Sequence, residues 1–153
     1  MSADLGRRLA RELFETVPAI MQPVTAEMRR MDIPMPMPHF RALMIITHAG
    51  PCTLTGLAEK QHVSLPTMSN TVSVLVERGW VERVADDHDR RRAEVRLTPE
   101  GEEAARNVQA RIERLLGERF AALSPEEVER VRAGLAVLRR AFRETEAQAG
   151  GNA

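Results

Sequence analysis

Two groups of side chains in this 153-residue chain have the types and spacing to do chemistry. The first is Ser64, Thr67, Ser69, Asn70 and Ser73, short polar residues mostly three or four apart, which would share the outer face of a helix. Near a helix N-terminus such side chains can reach base edges in a major groove. Asn70 has the paired donor and acceptor for a bidentate contact to adenine, and the hydroxyls suit bases or phosphates alike. The second group is the run Asp86-Asp87-His88-Asp89-Arg90-Arg91-Arg92. Three guanidinium groups at or beside a projecting turn could enter a narrow minor groove. An aspartate two residues ahead of an arginine can brace its guanidinium fork. Taken alone, the first group also fits a solvated helix face and the second a soluble charged turn, so the flanking elements decide.

Ser64 is of N-cap type, with Pro66 in the first turn and Met68, Val72, Leu75 and Val76 at inward spacing, so a short helix is expected there. Ahead of it, Thr53 can cap another short helix carrying Leu54, Leu57 and Ala58. Two such helices joined by a brief connection make a helix-turn-helix, whose second helix enters the groove. Gly79 ends that helix. Trp80-Val81-Glu82-Arg83-Val84 and Arg92-Ala93-Glu94-Val95-Arg96-Leu97 then alternate apolar and charged residues around the arginine run, which is the pattern of a β-hairpin. In this context Thr53 to Thr98 reads as a winged helix-turn-helix presenting an arginine-tipped wing to double-stranded DNA.

The flanks are helical. Leu5, Leu9, Leu13, Phe14, Val17, Ile20, Met21, Val24 and Met28 keep helical spacing, while Pro18 and Pro23 should bend or interrupt that helix. Pro34, Pro36 and Pro38 hold the chain extended before a short buried helix with Phe40, Leu43, Met44, Ile45 and Ile46. Thr98-Pro99-Glu100 opens a long helix striped by Ala104, Val108, Ile112, Leu115, Leu116 and Phe120. Ser124 with Glu127 forms a capping box for the last helix, where Val128, Val131, Leu135, Leu138 and Phe142 step as a packing seam does. The expected fold class is mainly α with a small β-hairpin wing.

Lysine plus arginine balance aspartate plus glutamate at 22 each, so attraction to phosphate must come from local clustering of charge. Lys60 is the only lysine, leaving nearly all positive charge on guanidinium groups, which fork onto phosphates and base edges. A chain that is 43% hydrophobic suits one compact domain or one subunit of an intertwined dimer. No segment has the uninterrupted apolar run of a signal peptide or a bilayer span, so a cytoplasmic location and no membrane partner are expected. Cys52, the single cysteine, excludes an intramolecular disulfide.

Leu54-Thr55-Gly56-Leu57-Ala58-Glu59, Val81-Glu82-Arg83, Asp89-Arg90-Arg91 and Leu97-Thr98-Pro99-Glu100-Gly101 together resemble the multiple-antibiotic-resistance regulator (MarR) family over nearly the whole chain. The resemblance implies a homodimer whose first, fifth and sixth helices intertwine. It would bind a pseudopalindromic operator and leave it when a small ligand or oxidant is sensed. By position, Asp89 would brace Arg91, and Arg91 would enter the minor groove. The organisation implied is a helical dimerisation region over 1–34 and 98–146, a DNA-binding lobe over 35–97 and a frayed tail over 147–153. Two positions depart from the family pattern. His62 stands where glycine is common, a turn position expected to need positive φ, and Leu65-Pro66 stand where an arginine and a small polar residue are common. The recognition helix from Ser64 to Val76 consequently carries no charge, and the wing with the helix N-termini would supply most of the electrostatics.

For the signal, methionines crowd the first two helices and their connection, and flexible thioethers suit either a compliant core or an adaptable pocket. Met35, His39 and Met44 are the candidate contacts for a small hydrophobic or aromatic inducer. Cys52, beside a prolyl turn with only His48 as a basic neighbour, is the candidate for redox sensing. His39, His48, His62 and His88 lack the paired spacing of a metal site, so no metal and no cofactor are expected. His48 with Cys52 is the only pair that could serve an enzyme, and without an oxyanion loop or a phosphate-binding glycine motif no enzymatic activity is expected. The function expected is a sequence-specific repressor released by a small hydrophobic ligand. The alternatives are a redox-responsive regulator acting through Cys52 and a winged helix that binds protein instead of DNA.

Overall fold

The computed structural model describes residues 2–32, 34–85 and 93–150, with side chains described over 4–32, 34–85 and 93–142. Among the described residues six helices and three strands follow in the order α1 (Ser2–Arg29), α2 (Met37–Ala49), β1 (Cys52–Thr53), α3 (Leu54–Gln61), α4 (Leu65–Glu77), β2 (Val81–Val84), β3 (Glu94–Leu97), α5 (Pro99–Phe120) and α6 (Pro125–Gly150). The chain divides into two compact units, Met1–Ile112 and Glu113–Ala153. The mainly α winged-helix class expected from the sequence is the class observed.

Local chemistry sets the element ends. Thr53 caps α3, its Oγ1 accepting from the Gly56 N–H at 3.1 Å, and Ser64 caps α4, its Oγ accepting from the Thr67 N–H at 3.3 Å. The capping box of α6 is formed in both directions: the Ser124 N–H donates to Glu127 Oε2 at 2.8 Å, and the Glu127 N–H donates to Ser124 Oγ at 3.2 Å. Two helices end in the same doubly bonded left-handed turn. After α4, the Trp80 N–H returns to the Leu75 carbonyl and the Gly79 N–H to that of Val76, with Gly79 at φ 70. After α3, the Val63 N–H returns to the Ala58 carbonyl and the His62 N–H to that of Glu59, with His62 at φ 55 and ψ 44.

His62 is therefore the positive-φ residue of the helix-turn-helix turn. An unbranched aromatic side chain tolerates this conformation, whereas a β-branched one is strained by it. His62→Gly should leave stability unchanged or raise it slightly, and His62→Val should lower it by about 1–2 kcal/mol. Urea unfolding of the two variants checks this; equal midpoints would contradict the assignment of strain to this turn.

β1, β3 and β2 form one antiparallel sheet in that order, with Val81 opposite Leu97, Arg83 opposite Val95, and Cys52 opposite Val95 on the other edge. The hairpin expected from the sequence is thus extended by a third, two-residue strand. The observed strands are also shorter than the alternation suggested, since Ala93 is not in a strand. The core of the first unit collects Leu43 and Ile46 of α2, Leu57 of α3, Met68, Val72 and Leu75 of α4, and Val81 and Val95 of the sheet. Val24 and Met28 of α1 and Ala105 and Val108 of α5 are also buried, and Arg111 of α5 is ion-paired with Glu27 of α1.

Val76 does not face inward as its spacing suggested. Thr71 takes the buried place beside Met68, Val72 and Leu75, because these four lie within one arc of the helix and Val76 falls about 40° beyond its edge at Val72. Helix α1 continues through Pro18 and Pro23 without a break, and α6 is helical to Gly150. No helix among the described residues is long and apolar enough to cross a membrane.

Candidate nucleic-acid interface

The N-cap holds the start of α4 in a defined orientation, and the outer face of the helix carries Pro66, Asn70 and Ser73, all exposed. Ser69 lies half-buried at the edge of that face. Ser64 and Thr67 are exposed as well, but their hydroxyls hydrogen-bond each other at 2.8 Å. Of the five polar residues expected on this face, Asn70 and Ser73 are the most openly presented, while Ser64 and Thr67 also build the cap.

A residue absent from the sequence-based candidates joins them. Arg83 of β2 reaches across to the recognition helix, its Nη2 donating to Ser73 Oγ at 3.4 Å, and so brings a guanidinium to the edge of a helix face with no positive charge of its own. Its strand neighbour Glu82 is ion-paired with Arg96 across the register, Nε to Oε1 at 2.7 Å, so that second guanidinium is held over the sheet. The sequence placed Arg83 in the first wing strand and gave it no part in the site. Only the turn after α4 brings its guanidinium to Ser73.

The base of the wing is laced to α4 and α5 through Thr98. Its Oγ1 donates to the Gly79 carbonyl at 2.5 Å and accepts from the Gly101 N–H at 3.0 Å, while its N–H donates to the Trp80 carbonyl at 3.1 Å. Arg78 sits 4.9 Å from the Trp80 ring centroid, within cation–π range, and its Nη1 donates to the Pro34 carbonyl at 2.8 Å. The end of the recognition helix, the first wing strand and the start of α5 thus share one set of bonds. Arg90, Arg91 and Arg92, with Asp89, which was expected to brace Arg91, lie outside the described residues.

The three candidate ligand contacts are not brought together. Met35 is buried and lines a cavity of about 420 Å³ with Met31, Asp32, Trp80, Glu103 and Val108. Met44 lines a separate cavity of about 370 Å³ with Phe40, Arg41, His48 and Lys60. His39 lines neither. Met35 and Met44 flank the start of α2 and its outer face respectively, which is why nearness in sequence did not make them neighbours in a site.

The Nδ1 of His39 is buried without a hydrogen-bond partner. Burial first, and the Arg78 charge second, hold its pKa below the ordinary 6.5. The folded protein therefore binds fewer protons at this site than the unfolded chain does. Its stability contribution is present above pH 6.5 and is lost as pH falls from there through the depressed folded value. Urea unfolding between pH 5 and 8 should show stability declining on the acid side, and His39→Gln should flatten that decline; an unchanged slope in the variant would remove His39 as its source.

Cys52 is half-buried, its thiol donating to the Gly50 carbonyl at 3.2 Å, and His48 Nδ1 donates to the Met44 carbonyl at 2.6 Å. Each member of that pair is thus engaged with the nearby main chain.

Comparison with known proteins matches this geometry. Residues 33–92 fit the sequence model of the MarR family. Over 112 residues the chain is 31% identical to YfiV, an uncharacterised HTH-type transcriptional regulator of Bacillus subtilis (strain 168), covering 73% of this chain and 70% of that protein. A MarR family protein from Bacillus stearothermophilus superposes with a TM-score of 0.81 at 24% identity, covering 94% of this chain and 99% of that one. FabT of Streptococcus pneumoniae, solved in complex with DNA, superposes with a TM-score of 0.75 at 19% identity, covering 91% of this chain and 98% of that one. Capped tandem helices, a wing base locked to the recognition helix and a relative of this identity and coverage lead to one conclusion: the chain belongs to the MarR family of transcriptional regulators.

Proposed function

We propose that the protein is a homodimeric, sequence-specific repressor that reads a pseudopalindromic site in double-stranded DNA in the cytoplasm and is released by a small hydrophobic ligand. The observation that carries the reading is the outer face of α4, where Asn70 and Ser73 stand exposed on a capped helix with Arg83 hydrogen-bonded at its edge. Asn70 is the group for adenine, through its paired amide donor and acceptor. Arg90, Arg91 and Arg92 would extend the contact into the minor groove, with Asp89 holding the Arg91 fork. FabT, which shares the fold, was solved bound to DNA. Exposed Leu5, Leu9, Phe14 and Val17 on α1 and Val131, Leu135 and Phe142 on α6 support dimerisation. The cavity lined by Met31, Met35, Trp80 and Val108, with Asp32, Glu103 and Arg111 at its polar side, falls within the size range of small-molecule sites and supports a small ligand with an apolar part.

The test is fluorescence anisotropy against the protein's own upstream region across a salt series. Asn70→Ala should weaken specific binding by about 5- to 150-fold, the range of one bidentate base contact, and relax the preference at one base pair in each half-site. Arg91→Ala should weaken it at least as much. Because α4 from Leu65 to Val76 is uncharged, the slope of log affinity against log salt should be shallow and should become shallower in the Arg91 variant. A steep slope that survives replacement of Arg90 and Arg91 would overturn the role given to the wing, and the absence of any specific complex would overturn DNA recognition.

A further inference from the structure

We infer that the first turn of α4 reads thymine by its C5-methyl group, through the exposed hydrocarbon of Leu65. The inference rests on the DNA-binding reading above and names what the uncharged helix recognises.

Leu65 is the first residue of α4, immediately after the Ser64 cap, and residues at this end of a recognition helix approach base edges. Its side chain is 48% exposed at the open end of the helix, although it lies on the flank of Met68, Val72 and Leu75, which are completely buried further along. Nothing polar on this turn competes for the position. The Ser64 and Thr67 hydroxyls bond each other, Ser64 Oγ also takes the Thr67 N–H, and Pro66 has no N–H to offer. The tip of the helix therefore presents hydrocarbon, flanked by hydroxyls already engaged.

The major-groove edge of DNA offers one apolar group. Guanine presents acceptors, cytosine a donor and adenine one of each, while thymine adds a methyl group beside its acceptor. A leucine against any of the first three would leave base donors or acceptors dehydrated and unpaired, at a cost. Against thymine it removes two apolar surfaces from water. Asn70 follows five residues later, about 7.5 Å further along the helix axis and about 140° round it, so the two side chains would meet different bases.

The experiment begins with selection of bound DNA by the full-length protein. In the best site each thymine is then replaced, one symmetric pair at a time, by deoxyuridine, which lacks only the methyl group. Wild-type protein should lose about fourfold in affinity per methyl at one symmetric pair of positions and nothing comparable elsewhere. Leu65→Ala, at an exposed helix position where alanine is well tolerated, should bind the thymine and uracil versions of that site equally. Circular dichroism should show its helix content and melting temperature unchanged. Equal binding of wild type to thymine and uracil at every position, or a uracil penalty undiminished in Leu65→Ala, would overturn the inference while leaving DNA recognition intact. Failure to select any DNA would remove DNA recognition and this inference with it.

Discussion

Replacing Gly101 by alanine should lower the melting temperature by roughly 6–12 °C, following from a loss of about 3 kcal/mol or more. A Cβ at this position would lie 1.8 Å from the Trp80 carbonyl oxygen, 2.7 Å from its carbonyl carbon and 3.0 Å from its Cα. All three atoms are backbone, so no rotamer change relieves the clash, and α5 must move away from the base of the wing. That movement pulls on a crowded junction. The same Trp80 oxygen accepts from the Thr98 N–H, Thr98 Oγ1 caps the Gly101 N–H, and the Trp80 side chain is buried. Gly117, also in α5, has nothing within 4 Å of an added Cβ, so Gly117→Ala should be neutral or stabilising by up to about 1 kcal/mol. The contrast separates a packing requirement from a general dislike of alanine in this helix. Thermal unfolding by circular dichroism measures both variants, and equal melting temperatures would contradict the close approach at Trp80. Surviving folded Gly101→Ala should also bind DNA more weakly, because the wing base and the end of the recognition helix share the Thr98 bonds.

The second large effect should come from Val131→Glu combined with Leu135→Glu. Val131, Leu135 and Phe142 are each about half or more exposed on α6, at the spacing of a helix-packing seam. Burying a valine, leucine or phenylalanine contributes about 1.5–3 kcal/mol each, whereas two carboxylates brought to the centre of such a seam must be desolvated without partners. Light scattering should show a dimer for the wild type and the mass of a single chain for the variant. Affinity for a full two-half-site operator should fall by a hundredfold or more, since a second half-site engaged by a linked subunit binds at high effective concentration. Binding to an isolated half-site should change little. A variant that remains dimeric would place the interface elsewhere, and one that is monomeric yet binds the full site unchanged would overturn the two-half-site reading.

Much of the DNA-binding lobe was legible because its signals are local. A threonine or serine three residues ahead of an amide to be capped, a glycine after a helix end, and a serine paired with a glutamate at Ser124 and Glu127 all act within one turn of chain. Thr53, Ser64 and Gly79 accordingly do in the structure what their types predict, while the positive φ of His62 was expected from the family resemblance and not from its type. The apolar spacing of α4 was readable for Met68, Val72 and Leu75, and it failed at Val76, where a hydrophobic residue of nearly the right spacing lies just off the buried side. The Asn70 and Ser73 face followed from the same periodicity.

Other features depend on atoms far apart in the chain, and no pattern of residue types announces them. The two-residue strand at Cys52 and Thr53 exists because Val95 and Glu94 lie alongside it. Met35 and Met44 border different cavities although nine positions separate them. The Arg83 guanidinium reaches Ser73 only because the turn at Gly79 swings β2 back along the helix. In the same way Gly101 reads from sequence as a helix-weakening residue, and only its contact with the Trp80 carbonyl makes it a requirement. The order of amino acids by itself determined the caps, the helix phases, the alternating strands and the polar outer face of α4, because those follow from bonds and sterics within a few residues. Tertiary structure alone decided which guanidinium accompanies that face, where the methionines line cavities and how the wing base is locked to α5, because packing pairs groups by shape and distance in space.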